Sequence, residues 1–297
     1  MKVTQALKRT RSLWLYAAVF LILASSASAR EGKALFLQEM TWTDVQEYLR
    51  SSDMVIIPLG STEQHGPHLP LGTDYYLATG VLEKISAKTG VIVAPVLFVG
   101  YSEYHSGFPG TLSIKPDTMV QVLFESAQML LKYGFRRLMF FNSHGGNNIV
   151  QQKIIHRINQ ETEAVAAAIG YGGPIQVEDE EFFDWHAGIE ETSDMLYLKP
   201  ELVRMERAEK PVIRFSPKMQ ELLALSKNSP ELEGIWASLF ATPTETGKGG
   251  ASRDLSSNGV WCLSDPKQAT RERGEKDVQG QVERAVKFIE AWKQAKK

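Results

Sequence analysis

Residues 54–74 read MVIIPLGSTEQHGPHLPLGTD, and how this stretch divides decides the fold. Met54 to Leu59 is a short apolar run closed by Gly60, the pattern of a buried strand. The Gly- and Pro-rich loop that follows carries Glu63, His65, His68 and Asp74. The same arrangement recurs downstream. A helix is expected from Tyr75 to Lys88, stopped near Gly90. Val91 to Val99 (VIVAPVLFV) reads as a second buried strand, in which Pro95 marks an edge or a bulge. Asp117 to Tyr133 has helical spacing up to Gly134, and Leu138 to Phe141 gives a third strand. Gln151 to Glu161 reads as a helix and Glu163 to Ile169 as a fourth strand, despite its alanines. Strand and helix in alternation is the signature of a parallel α/β sheet.

Outside this region, Thr41 or Thr43 is expected to cap a short helix bearing Val45, Tyr48 and Leu49. Ala269 to Lys297 forms a charged amphipathic helix with Val278, Val282, Ala285, Val286 and Ile289 on one side. Ser216 to Ser257 mixes Pro, Gly, Ser and Thr with charges; it reads as a long irregular loop or lid carrying one helix around Met219 to Leu225. No internal repeat or low-complexity tract is evident.

The N-terminus has the layout of a secretory signal. Lys2, Lys8, Arg9 and Arg11 precede an apolar run from Leu13 to Leu23, and Ala27-Ser28-Ala29 is a small-x-small cleavage pattern. Eleven apolar residues are too few for a bilayer core, which needs about 20. The expected organisation is a signal peptide over 1–29 and one domain over 30–297, exported to a periplasmic or secreted location with no membrane attachment after cleavage; an uncleaved N-terminal anchor is the alternative. The full chain of 297 residues has net charge −2; without the first 29 it has 29 basic and 35 acidic residues, or −6. That balance lacks the basic excess a nucleic-acid-binding face requires. Cys262 is the lone cysteine, so no intramolecular disulfide staples the fold.

The chemistry-bearing residues follow the strands. Gly60–Asp74 comes after the first, Gly100–Thr111 with His105 after the second, and Asn142–Asn148 with His144 after the third. In an open parallel sheet the ligand crevice lies outside the carboxyl ends of the strands, so these loops converge on one rim. Glu63 and His65, two apart, share a face in extended backbone; Asp74 returns through its loop, and His144 enters from a separate strand. Carboxylates mixed with imidazoles suit zinc, manganese or similar borderline ions better than calcium. A carboxylate able to bridge, such as Asp74, would allow two ions about 3.5–4 Å apart with a shared hydroxide. From spacing alone, a set of capping and hydrogen-bonding loop residues remains the alternative.

These residues strongly resemble the creatininase (creatinine amidohydrolase) family. Gly60 to Pro70 reproduces its glycine-serine-x-glutamate-glutamine-histidine-glycine-proline-histidine-leucine-proline motif, and Thr73-Asp74 follows. His105 to Thr111, Asn142 to Asn147 and His186-Ala187-Gly188 running to Glu191-Thr192-Ser193 match its later motifs in order. The resemblance implies a three-layer α/β/α sandwich and a hexamer, or at least a homo-oligomer. It also implies two divalent ions, zinc or manganese, acting on a small-molecule amide: a cyclic amide or a formamide-type C–N bond opened by a metal-bridging hydroxide. Carried over by position, Glu63, Asp74 and His144 would hold one ion, and His65, Asp74 and Glu191 the second, with His186 handling the proton. Creatininase itself has a glutamate where this chain has Gly146, which moves the expectation away from creatinine as substrate. Many relatives carry a glutamate where Ile189 stands, which leaves the part of Glu190 open. Two rival readings keep the metals: a catalytically silent exported metal-dependent small-molecule binding protein, and a phosphoesterase. The second lacks any glycine-rich phosphate loop with lysine.

Overall fold

The structure is a computed structural model that describes residues 32–170, 184–239, 248 and 251–295. The expected signal peptide over 1–29 lies outside the described residues, as do parts of the 216–257 stretch. In chain order the elements that frame the site are α1 (Trp42–Ser51), β1 (Met54–Leu59), α2 (Thr73–Thr89), β2 (Ile92–Val93), α3 (Pro116–Tyr133), β3 (Arg137–Asn142), α4 (Asn148–Glu161) and β4 (Val165–Ile169). They continue with β5 (Asp184–His186), α5 (Ile189–Leu198), α6 (Pro217–Ser226), α7 (Glu233–Leu239), α8 (Ser252–Leu255), β6 (Trp261–Cys262) and α9 (Arg271–Lys293).

The first four strands form one parallel sheet in the order β2-β1-β3-β4. Every residue of β1 pairs with β3, from Met54 opposite Arg137 to Leu59 opposite Asn142, so the loops after these two strands leave the sheet at one level. Successive side chains alternate between faces. Val55, Ile57, Leu59, Leu138 and Phe140 pack on α1, α3 and α4, through residues such as Val45, Leu123, Phe124 and Ile154. Met54, Ile56, Met139 and Phe141 pack on α2 and α9, through Ala78, Leu82, Ile85, Val278, Val282 and Ile289. The result is an α/β/α sandwich with two apolar seams. Each large side chain fully withdrawn from water contributes about 1.5–3 kcal/mol before entropy is subtracted.

The element boundaries follow local chemistry. Thr41, not Thr43, caps α1: its side chain accepts from the Asp44 amide while Asp44 accepts from the Thr41 amide, a reciprocal box. Gly90 and Gly134 close α2 and α3 with left-handed backbone. Val91–Val99 is not one strand. Only Ile92–Val93 pairs regularly, and Leu97 then rejoins β1 opposite Leu59. Pro95 has no amide hydrogen to give the ladder, so pairing is interrupted there, and β2 sits on the sheet edge as Pro permits.

Behind the rim, β5 pairs antiparallel with β6 and brings His186 opposite Trp261. Helix α5 leaves this strand and packs against α9, where a Cβ on Gly274 would stand 2.0 Å from the Ser193 carbonyl. At this seam Asp194 is 5% exposed, and burial together with neighbouring Asp277 pushes its carboxyl up to about 9. An unfolded aspartate titrates near 3.9, so between these two values the folded protein holds the extra proton and loses stability as pH rises. Asp194→Asn, neutral at every pH, is therefore expected to gain on the parent as pH increases. Thermal midpoints at pH 5 and pH 8.5 test this: the variant-minus-parent difference grows more positive at the higher pH.

Candidate metal centre

The rim is assembled by one side chain. Asn147 donates from Nδ2 to the Gly60 carbonyl at 3.0 Å and accepts at Oδ1 from the Tyr101 amide at 3.0 Å. It thereby ties the loops after β1, β2 and β3 together. Asn142 fixes the turn into the third loop, accepting from the His144 amide at 3.1 Å and donating to the His144 carbonyl at 2.8 Å. The first two loops also pair directly, with the Leu112 amide donating to the Thr62 carbonyl at 2.8 Å.

Five of the six histidines are buried here: His65, His68, His105, His144 and His186, with only His156 exposed. For His65, His144 and His186 a backbone carbonyl beside one ring nitrogen places a hydrogen there, because a carbonyl oxygen accepts and never donates. His65 Nδ1 lies 3.1 Å from the Glu63 carbonyl and so carries a hydrogen there, which leaves Nε2 as the nitrogen turned to the carboxylates. That Nε2 is buried, has no hydrogen-bond partner, and faces Asp74 Oδ1 at 3.5 Å and Glu191 Oε2 at 3.7 Å. His144 Nε2 lies 3.0 Å from the Tyr101 carbonyl and 3.2 Å from Glu63 Oε2, both acceptors. Its Nδ1 is then the inward nitrogen, 3.5 Å from Asp74 Oδ2.

Glu63 Oε1 and Asp74 Oδ2 are likewise buried without a hydrogen-bond partner. Among the described residues, three groups have potential ligand atoms within 4.8 Å of one another: Glu63, Asp74 and His144; His65, Asp74 and Glu191; and Glu63, His65 and His186. The first two are the sets the sequence motifs point to, and Asp74 belongs to both. One of its oxygens faces His65 and the other His144. Buried carboxylates and ring nitrogens turned to one another, three of their atoms without a hydrogen-bond partner, are the donor set a divalent cation requires. The residues therefore fit the metals the resemblance implies.

The electrostatics are those of a charge cluster largely withdrawn from water, with Glu191 at its partly exposed edge. Burial opposes charge on Glu63, yet His144 and His105 hold its carboxyl well below the usual range. Burial also opposes charge on His65, but Asp74 and Glu191 raise it to about 10, and Glu63 and Asp74 likewise raise His144 to about 9, so each inward nitrogen holds a proton that a bound cation would displace. Burial pushes Glu191 up to about 7. Carboxylates and imidazoles here stabilise charge in one another, which is the property a bound cation exploits.

Glu191 is oriented by backbone. The Ala187 amide donates to Glu191 Oε2 at 2.6 Å, and Ala187 itself adopts φ 53°, a left-handed conformation unusual for a residue with a side chain. Glu190 takes no part in any of the three groups. It turns outward to Arg273 at 3.7 Å, and its amide is held by Asp184 at 2.9 Å. His68 donates or accepts at Thr192 Oγ1, 2.9 Å away, and serves the loop rather than the charge cluster.

Several residues at the centre carry no sequence prediction of their role. Gln64 Nε2 donates to His105 Nδ1 at 2.9 Å and to the Gly259 carbonyl at 3.0 Å. His105 Nε2 lies 3.2 Å from Glu63 Oε1, a close contact that does not make a hydrogen bond. Ser61 donates to Glu63 Oε2 at 3.0 Å and bonds Ser102 at 2.7 Å. Gln64 and Ser61 lie inside the first motif, so their presence was visible although their partners, up to 195 residues away, were not.

Fold and centre together define an α/β/α protein with a carboxylate–imidazole cluster at the carboxyl ends of a parallel sheet. The chain belongs to the creatininase family, whose model, described as creatinine amidohydrolase, matches residues 38–289. It is 33% identical over 185 residues to a 3-dehydro-scyllo-inosose hydrolase of Thermotoga maritima, covering 59% of each chain, so the match spans less than two thirds of that relative's length. It is 30% identical over 208 residues to a creatinine amidohydrolase of Pseudomonas putida, covering 62% of this chain and 80% of that one. Among solved structures, a mutant creatininase of Zn-Zn type superposes with a TM-score of 0.67 at 24% identity, over 89% of this chain and 100% of the other, and so shares the fold.

The two adjacent glutamates give a sharp test. Glu191→Gln is expected to weaken metal binding at least about tenfold, whereas Glu190→Gln leaves it within about twofold. Metal content after dialysis, measured by plasma mass spectrometry, distinguishes them; equal loss in both variants would contradict the assignment.

Proposed function

We propose that this protein is a metal-dependent amidohydrolase with a binuclear centre, acting on a small cyclic amide or formamide-type C–N bond. The observation that carries this reading is Asp74, whose two oxygens face two different histidines and join two ligand groups into one centre. Glu63, Asp74 and His144 would hold one ion, and His65, Asp74 and Glu191 the other. Zinc or manganese suits this mixture of carboxylate and imidazole. Two such ions, when bound, polarise the amide carbonyl and supply a strong oxygen nucleophile at neutral pH.

The chain's own groups supply the rest. His186 Nε2 lies 2.6 Å from the Gln64 carbonyl and carries its hydrogen there. Its Nδ1 lone pair consequently points into the centre, 3.6 Å from Glu63 Oε1 and 4.0 Å from Glu191 Oε2. Burial and the neighbouring His105 and His65 hold this imidazole well below its ordinary pKa, so it rests neutral. A neutral base at that position can take the proton released on attack and return it to the leaving nitrogen, which departs poorly as an anion. His105 stacks on His186 with ring centroids 4.1 Å apart, and Trp261 borders both, which fixes the ring and keeps bulk water out.

His186 also belongs to the third ligand group, with Glu63 and His65. Metal content separates the two roles. His186→Ala is expected to keep its metal and to lose about 10²–10⁴-fold in kcat on the best substrate from a screen of lactams and formamides. Loss of metal would make His186 a ligand instead. Removal of metal by a chelator abolishes hydrolysis, and zinc or manganese restores it. A parent that binds metal and small ligands but hydrolyses nothing in the screen would contradict the enzymatic reading and favour a binding protein.

A further inference from the structure

Tyr104 stands in the loop after β2 with its ring 4.4 Å from His105 and 5.8 Å from Trp261, and it lies nearly parallel to His144 at 6.2 Å. It is 8% exposed, and its hydroxyl points inward to His144 Nε2 at 3.4 Å. That nitrogen carries a hydrogen, as shown by the Tyr101 carbonyl at 3.0 Å, so toward His144 the phenol oxygen can only accept. The phenol's own hydrogen has no acceptor among the described residues. A buried O–H left without an acceptor is costly, so its retention calls for a partner.

The backbone is shaped to hold the hydroxyl there. A Cβ on Gly146 would stand 2.7 Å from Tyr104 Oη, 2.5 Å from His144 Nε2 and 2.2 Å from the Tyr101 carbonyl. Any side chain at position 146 would therefore displace the phenol, the imidazole or both. Only glycine leaves the space in which the hydroxyl rests beside the Glu63–Asp74–His144 group. Tyr104 also belongs to the apolar cluster of Met219, Leu255 and Trp261, with Trp185 packed against it, so the segment after residue 216 fixes the ring from outside.

We infer that Tyr104 is a ligand-binding residue of this centre, its phenol donating a neutral hydrogen bond to an oxygen of the bound ligand, either the carbonyl of the substrate or the carboxylate of the product. The inference rests on the proposal that the centre is where the ligand reacts. It also makes Gly146 a specificity-determining position, since it clears room for a neutral donor where a negatively charged side chain would repel an anionic oxygen.

The test uses the full chain loaded with zinc and formate as the probe, titrated by calorimetry. Tyr104→Phe removes one oxygen from a buried ring and is expected to keep its thermal midpoint and metal content while its formate Kd rises about tenfold. On an amide that the parent hydrolyses, kcat/KM falls in the same variant without a change in metal content. A formate Kd within twofold of the parent's would overturn the inference, as would a parent that binds no formate. Loss of metal in Tyr104→Phe would overturn it too, and would make the residue a support for His144. Unchanged hydrolysis in the variant sinks the role of Tyr104 and leaves the amidohydrolase reading standing. Weakened formate binding in a protein that hydrolyses no amide does the reverse.

Discussion

Three carboxylates, Glu63, Asp74 and Glu191, meet in a space where each pairs with imidazoles, and the rest of the structure is arranged around that expense. Taking a single ionised carboxylate out of water is prohibitive unless it is paired and hydrogen-bonded. The protein meets this by sharing. Ser61 and His144 satisfy one oxygen of Glu63, Ala187 satisfies Glu191, and Asp74 divides its oxygens between two histidines. Within the cluster, Glu63 Oε1, Asp74 Oδ2 and His65 Nε2 are left buried without a hydrogen-bond partner. A cluster that balanced its charge for stability alone would have no reason to keep those atoms bare.

The fold supplies what this balance requires, namely rigidity from distant parts of the chain. Glu63 and His65 leave β1, His144 leaves β3, Asp74 starts α2, and His186 and Glu191 flank the start of α5. Full pairing of β1 with β3 puts two of these departures at the same height. Asn147 then locks the three loops, and Gln64 reaches across to His105 and to the Gly259 carbonyl. Carbonyls placed against His65, His144 and His186 fix one N–H of each ring. Outer contacts of this kind set the direction and basicity of a metal's ligands as much as the ligands themselves do.

Much of this was legible in the sequence, and what was not has a physical reason. The run at 54–59 coincides with β1 residue for residue, because an apolar run between polar neighbours has little else to become. The helices stopped by Gly90 and Gly134 end where expected, since left-handed backbone there favours glycine. The 91–99 run misled because apolar content does not reveal a broken ladder at Pro95. The β5–β6 pair was invisible, being a contact between residues 184–186 and 261–262 that no local pattern announces. At the centre, the residue types and their order could be read from the motifs, as could the loops that carry them. The choice of Glu191 over Glu190 turned on the direction of a helix start, and the inward hydroxyl of Tyr104 on the bare surface of Gly146; both are properties of packing.

In the proposed centre Asp74 bridges two ions. Anomalous diffraction from crystals grown with manganese tests it most directly. Two peaks about 3.5–4 Å apart are predicted, one against His144 and one against His65, with the Asp74 carboxylate between them. A single peak, or two peaks of which only one touches Asp74, would contradict the account.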